Sequence, residues 1–468
     1  MPLIPVLLLL LAVLACDRGA GAAAAARSSL AEEHVVPDAA EPDPSSATIP
    51  DPSSATIPAP SSATIPDMSP ATIPDPSSAT AQQRGFPREP VPAQLFGMHL
   101  IKVWLPGVDW PATPVGLYRL VDATPRWHHL SPAPGRWYDD TQQGAGMSRI
   151  HAALLFRDRH GAGTPAMFTL GGGGDDRRNG QWGGGFPAWF TARTDTLAEW
   201  RRYVREVGTR FRGRVQLWEV WNEPDCVCFY TGDVRLLVQL TRVAAEELRR
   251  IDPANRIVAP AFTDEGLAMM DAFHAAGGGR YVDIVAWHQT NHFPPERDTV
   301  RIRAARAIMV KHGIGDKPLW TTEGHAIAHA STSDAAILAR TYLTLWLYGV
   351  SSFSWYAWDI AEYATVPGHE RTQWVTLTDA SYRVTSAGVA YRELYRWLVG
   401  SRVTSFRIEG DAWIVGTDRG WIVWAAGPRV TPWTVPGGMT RVRRLDGSSA
   451  TAPQPTFVPA AEPVFFHQ

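Results

Sequence analysis

From about residue 93 onward, short apolar runs alternate with stretches whose apolar residues recur every three or four positions. The runs at 94–101, 115–121, 166–170, 215–221, 256–259, 282–288, 318–322 and 351–358 read as β-strands. Between them, 196–211, 234–251, 299–311 and 334–347 read as amphipathic helices. In the first of these, Leu197, Trp200, Val204, Val207 and Phe211 fall on one face. Eight strands alternating with helices predict an α/β fold, a (β/α)8 TIM barrel over 93–399. A doubly wound sheet shares the alternation, but no Gly-rich dinucleotide turn follows the first strand. After Val399 and Gly400 the pattern changes to short β-type runs at 406–409, 412–417, 421–425 and 441–445. They predict a small β-sandwich-like domain over 400–468 that borrows a strand from near residue 90. Its expected role is packing support for the barrel; carbohydrate binding is the alternative.

The first 92 residues follow neither period. Residues 2–15 read PLIPVLLLLLAVLA, and the apolar run from Leu7 to Ala15 is too short to span a bilayer. It suits the core of a signal peptide at 1–16. Val13-Leu14-Ala15-Cys16 resembles the lipobox of bacterial lipoproteins, in which Cys16 is lipidated. The alternative is a plain secretory signal with an incidental Cys16. Either reading predicts export to the periplasm, cell envelope or medium, and lipidation adds an N-terminal membrane anchor. Residues 17–92 hold an octad repeat: DPSSATIP twice, then APSSATIP, DMSPATIP and a partial DPSSATA. Each repeat has at most one large apolar side chain, too little burial to offset the entropy of ordering. Pro, Ser and Thr at this density predict an extended spacer.

Composition narrows the function. The chain has 468 residues, 45% hydrophobic and 19% charged, room for one large domain and a smaller one. The net charge is −2 and there is no basic tract, which argues against nucleic-acid binding. Several of the 20 Trp lie beside Gly and Pro in expected loops, where stacking on sugar rings is favoured over core filling. Beyond Cys16 there are two cysteines, Cys226 and Cys228. Alone they cannot complete a tetrahedral metal site, so a small disulfide and two free loop thiols are the open readings.

The candidate chemistry centres on Trp218-Glu219-Val220-Trp221-Asn222-Glu223-Pro224-Asp225. Pro224 lacks an N–H and disfavours helix in the residue before it, so Glu223 should end a strand and face a loop. In a barrel, catalytic side chains come from the C-terminal ends of different strands. Glu223 ends the fourth predicted strand and Glu323 the seventh, on opposing sides of the mouth. A carboxylate pair about 5 Å apart supports double displacement with retention; a wider pair supports inversion.

These residues carry a resemblance. The chain resembles the retaining glycoside hydrolases of clan A over 95–400, most of all family 39, with families 5 and 30 as relatives. Trp221-Asn222-Glu223-Pro224 followed by Phe229-Tyr230-Thr231-Gly232 is similar to the acid/base segment of that family. The resemblance implies Glu223 as acid/base, Glu323 as nucleophile and Asn222 as the partner of the sugar 2-hydroxyl. Tyr118-Arg119-Leu120 resembles the second-strand segment whose Arg braces the nucleophile. Phe96-Gly97-Met98-His99 resembles the first strand, with His99 aimed at the site, and Arg126-Trp127 the following loop. His288 stands at the expected sixth-strand position, but Thr290 replaces a common Tyr that hydrogen-bonds the nucleophile. Tyr356 or His325 would have to substitute. The eighth strand offers Trp355 or Trp358 as a floor under the sugar. The Gly-rich insert after the third strand offers Trp182 for stacking.

The expected activity is therefore hydrolysis of O-glycosidic bonds in an oligo- or polysaccharide, an exopolysaccharide among them, by a monomer with no metal or organic cofactor. The alternative is a non-hydrolytic carbohydrate-binding envelope lipoprotein on the same scaffold.

Overall fold

Five of the eight barrel strands are buried at every residue, the mark of a parallel sheet covered on both faces. The computed structural model describes residues 86–102, 108–139, 146–172, 184–190, 194–289, 293–360 and 374–468, with the backbone of 177–178 and 181–182. The strands are β1 (Phe96–His99), β2 (Leu117–Arg119), β3 (Ala166–Leu170), β4 (Leu217–Val220), β5 (Arg256–Val258), β6 (Val285–Gln289), β7 (Leu319–Gly324) and β8 (Val350–Trp355). They pair in parallel in the order β5-β4-β3-β2-β1-β8-β7-β6. Bridges from Val258 to Ile284 and from Phe262 to Trp287 join β5 to β6 and close the ring. This is the predicted (β/α)8 barrel, and each strand lies within or beside its predicted run.

The helices are α1 (Trp127–Leu130), α2 (Met147–His160), α3 (Thr196–Arg210), α4 (Val234–Ile251), α5 (Leu267–Ala275), α6 (Asp298–Lys311), α7 (Asp334–Leu347) and α8 (Ser386–Leu398). Several start where a side-chain oxygen can take an orphan N–H. Asp195 accepts from Ala198 N, Asp233 from Leu236 N, Ser333 from Ala336 N and Thr385 from Gly388 N. Among the described residues no helix is long and apolar enough to cross a membrane.

The C-terminal region is a six-stranded antiparallel sheet. Its strands are β9 (Val403–Glu409), β10 (Ala412–Thr417), β11 (Gly420–Ala425), β12 (Arg441–Arg443), β13 (Ser449–Thr451) and β14 (Val464–His467), in the order β9-β10-β11-β14-β12-β13. Strand alternation divides its residues between two cores. Trp413, Val415, Ile422, Trp424 and Phe465 join the core of the barrel. Ile414, Val423, Val442, Val464 and Phe466 face a second, smaller core with Trp433 and Val435. A two-stranded ribbon, Trp433–Thr434 with Thr456–Phe457, covers that side. The expected sandwich thus has a full sheet as one layer and only a ribbon as the other.

The strand expected from near residue 90 is reduced to a backbone pair. Val91 N donates to Ser401 O and Gly400 N to Val91 O, at 2.8 Å each. Val91 is buried, so the folded body begins before residue 93. Glu296, just before α6, clamps barrel and sheet together. It takes Nε and Nη2 of Arg340 at 2.8 and 2.6 Å, and Nε1 of Trp424 at 2.8 Å.

Candidate active site

Arg119 is the hub of the barrel mouth. It is a buried charge at the C-terminal end of β2, and such a charge needs partners. Its Nε and Nη2 donate to Oε2 of Glu219 on β4 at 3.0 and 2.6 Å. Nη1 donates to Oε2 of Glu323 at 2.7 Å, and Nη2 also reaches Oδ1 of Asn222 at 2.7 Å. One guanidinium therefore braces the predicted nucleophile, a second carboxylate and the Asn beside Glu223. With Asn222 Oδ1 occupied, its amide N–H groups remain for a substrate oxygen. Burial works against the charge of Arg119, but Glu219 and Glu323 outweigh it and raise its pKa. Burial would likewise raise Glu219; the Arg119 charge, with help from His288 and the Thr169 hydroxyl, holds it below the usual carboxylate range.

The local chain geometry aims the two acids. Trp221 and Glu223 both take left-handed backbone angles, φ 76° and 43°, which non-Gly residues rarely adopt outside functional sites. Glu223 N is tied to Ala261 O at 2.9 Å, and Trp221 Nε1 to Phe229 O at 2.8 Å. Gly171, after β3, makes room for the Trp221 ring: a Cβ there would lie 2.3 Å from it. On β7 the register skips at Thr322 against both neighbours. Thr321 pairs with Trp287 and Phe353, but His288 comes opposite Glu323 and Trp355 opposite Gly324. Such a bulge re-aims the side chain after it.

The carboxylates of Glu223 and Glu323 each offer an oxygen within 4.8 Å of the other. Their surroundings differ. Glu323 carries the Arg119 ion pair. Glu223 is pushed up from 4.5 to about 8, first by burial and then by the charge of Asp225. The dominant cause is thus desolvation, with the Asp225 charge adding to it. Asp225 is fixed by Thr263, whose N and Oγ1 donate at 3.1 and 2.5 Å.

His288 Nδ1 lies 2.7 Å from Glu223 Oε1, and its Nε2 lies 3.1 Å from Thr322 Oγ1. Burial lowers His288 to about 4, so it is neutral at ordinary pH. His99 is wholly buried, with both nitrogens engaged: Nδ1 with Asp122 Oδ2 at 3.0 Å, Nε2 with Thr322 O at 3.1 Å. It therefore supports β7, which carries Glu323, and does not reach into the cleft. For Asp122 burial pushes upward, but the His99 hydrogen bond and the nearby arginines prevail and keep it low.

Two groupings could present ligand atoms to a cation: His99, Asp122 and Glu323, and Glu223, His288 and Glu323. Every member already holds a hydrogen bond within the protein, an arrangement suited to handling protons. A cavity of about 650 Å³ opens at the other end of the barrel, between Gln94, Asp158, Gln216, Arg256 and Trp320. Asp158 is the sole carboxylate among its described lining residues, so it cannot house a two-acid mechanism.

Other solved proteins share this architecture. A family 39 glycoside hydrolase from Bacteroides cellulosilyticus WH2 superposes with a TM-score of 0.61 at 15% identity, covering 80% of this chain and 81% of that one. A family 39 β-xylosidase from Caulobacter crescentus gives 0.53 at 16%, with 82% and 97% covered. A family 30 endoxylanase from Clostridium papyrosolvens C71 gives 0.52 at 12%, with 82% and 98% covered. No protein-family model matches the chain, and no curated protein matches it in sequence. The structural neighbours are thus glycoside hydrolases of families 39 and 30, and at these identities the likeness establishes the barrel fold.

Some predicted contacts are corrected. Trp127 is wholly buried and packs on Tyr203, Trp200 and Phe190. It caps the outer layer of the barrel and offers no face to a sugar. Trp355 is also wholly buried: with Phe353 it points out of β8 onto Tyr342 of α7. Trp358 lies in the core, with its N donating to His99 O at 3.1 Å. The next position, Tyr356, reaches the mouth, its ring 4.9 Å from His99 and 6.0 Å from Trp374. His325 stacks on Trp374 at 3.5 Å, and Arg119 braces Glu323. Asp122, Glu219, Asp225, Thr322 and Trp374 were not foreseen as site residues. Thr290, the side chain of Trp182, and Cys16 lie outside the described residues.

Proposed function

We propose that the chain is a retaining glycosidase that cleaves O-glycosidic bonds of an oligo- or polysaccharide by double displacement. One observation carries the reading: two carboxyl groups face each other across the mouth within 4.8 Å, one ion-paired and one pushed up to about 8. Retaining enzymes place their carboxyl groups about 5–5.5 Å apart, inverting ones roughly 6.5 Å or more.

In the first step Glu323, ionised against Arg119, attacks the anomeric carbon. The C–O bond to the leaving group breaks, and Glu223 gives that oxygen its proton. The glycosyl group is left as an ester on Glu323. In the second step Glu223, now a carboxylate, takes a proton from water. The resulting oxygen nucleophile displaces Glu323 from the anomeric carbon. His288 stays neutral beside Glu223 through both steps. Asn222 donates to the sugar 2-hydroxyl. Tyr356 and Trp374 form an aromatic wall beside it.

The β-xylosidase and endoxylanase neighbours support a β-linked sugar as substrate. We place the enzyme outside the cytoplasm, lipidated at Cys16 and held off the membrane by the octad spacer, as a monomer acting on exopolysaccharide. The Leu7–Ala15 run and Val13-Leu14-Ala15-Cys16 support this placement, and the Cys226–Cys228 disulfide suits an oxidising compartment. The test is a polysaccharide digestion screen read by product mass, with Glu323→Gln as control. New reducing ends from the wild type alone would support hydrolysis. Polysaccharide binding without new ends across the panel would favour a binding protein.

A further inference from the structure

The Cys226–Cys228 disulfide takes no part in the chemistry above, yet it sits at the centre of the loop that carries Glu223. Cys226 N donates to Glu223 O at 2.9 Å. Cys226 O accepts from Phe229 N and Tyr230 N at 2.9 and 3.0 Å. Phe229 O in turn accepts the indole N–H of Trp221 at 2.8 Å. Residues 221–230 thus form a closed hydrogen-bonded loop with Cys226 as its hub, and the bridge pins that hub to Cys228, which is itself buried.

The loop has something to hold. Trp221 and Glu223 sit in left-handed backbone conformations, which non-Gly residues keep only where the surroundings enforce them. Pro224 has no N–H to help. Glu323 is placed by β7 and by Arg119, which touches the loop only at its start, through Asn222 Oδ1. The bridge lies beyond Asn222, so whatever loosens residues 223–230 moves the acid and largely spares the nucleophile.

We propose that the Cys226–Cys228 disulfide is a positioning element for Glu223, required for proton delivery to the leaving group and dispensable for nucleophilic attack. This rests on the reading of Glu223 as the acid. Its signature is selective, because a dinitrophenolate departs without a proton whereas an alkoxide or plain phenolate does not. An added dithiol such as dithiothreitol breaks the bridge: two electrons and two protons pass to the cysteines, and the reagent closes to its own cyclic disulfide.

The experiment measures kcat/KM for 2,4-dinitrophenyl, 4-nitrophenyl and phenyl β-glycosides of xylose, glucose and mannose. It compares wild type, the double variant Cys226→Ser/Cys228→Ser, wild type in dithiothreitol, and Glu223→Gln. Loss of the bridge should leave the dinitrophenyl substrate within about twofold and slow the phenyl substrate by roughly tenfold or more, within the range of general-acid catalysis. Reoxidation of reduced wild type should restore the phenyl rate. A uniform loss across the series, or no loss, overturns the proposal. Where the double variant does not fold, reduced wild type supplies the same series. Glu223→Gln separates the two claims. If it lacks the steep leaving-group dependence, the acid assignment falls. If it has the dependence and the unbridged protein does not, only the role of the disulfide falls.

Discussion

Replacing Glu223 by Gln should remove a large pH dependence from the stability of the protein. The side chain keeps its size and can still bond His288 Nδ1, but it no longer ionises. In the wild type, burial and then Asp225 raise Glu223 from 4.5 to about 8. A shift of that size corresponds to about 5 kcal/mol between the two protonation states. The sign follows from which state holds the proton more tightly. The folded pKa is above the unfolded one, so the favourable contribution is complete below about 4.5 and drains away as pH rises through about 8. Urea unfolding of wild type and Glu223→Gln at about pH 5 and about pH 9 isolates the effect, because every other titrating group is common to both. Wild type should lose roughly 3–5 kcal/mol more than the variant between the two conditions. The same titration should appear in catalysis, with wild-type kcat/KM on a phenyl glycoside falling above about pH 8 as the acid loses its proton. Equal pH dependence of stability in the two proteins would refute the reasoning, since Glu223 would then titrate as an ordinary surface acid.

Arg119→Met should abolish turnover and cost about 3–5 kcal/mol, because it strands the buried Glu219 and frees Glu323. Adding Glu219→Gln should restore part of the stability in urea unfolding and none of the activity. Glu296→Ala should cost a similar amount by leaving the buried Arg340 unpaired between barrel and sheet. Calorimetry should show most of that loss recovered in Glu296→Leu/Arg340→Met, where no charge is left buried.

The barrel was legible because its parallel strands are buried on both faces and so appear as unbroken apolar runs. The two acids were legible because each ends such a run, beside Pro224 or Gly324. Helices α1, α2, α5 and α8 were not marked: α1 and α5 are only 4 and 9 residues long, and α2 mixes its apolar positions with Arg, His and Asp. Trp355 was misplaced because strand parity, which turns it outward with Phe353, was not applied to the eighth strand. The bulge at Thr322 has no sequence signature at all, since it depends on register with two neighbouring strands. Glu219 could have been found. A charge inside an apolar strand run must have a partner, and Arg119 is the matching charge on another strand. Asp122 gave no such signal, because a lone Asp after a strand is ordinarily solvated. The drivers of the Glu223 shift were hidden for the same reason: burial and the approach of Asp225 are set by the loop of residues 221–230, not by spacing.

Mechanism-based labelling tests the double-displacement assignment most directly. The protein would be incubated with 2,4-dinitrophenyl 2-deoxy-2-fluoro-β-glycosides of xylose, glucose and mannose, digested, and read by peptide mass spectrometry. The fluorine slows hydrolysis of the glycosyl ester more than its formation, so the intermediate accumulates. A single added sugar on the peptide containing Glu323, absent in Glu323→Gln, is the predicted result. A sugar on any other residue, or turnover of the parent glycoside with no label on Glu323, would contradict it.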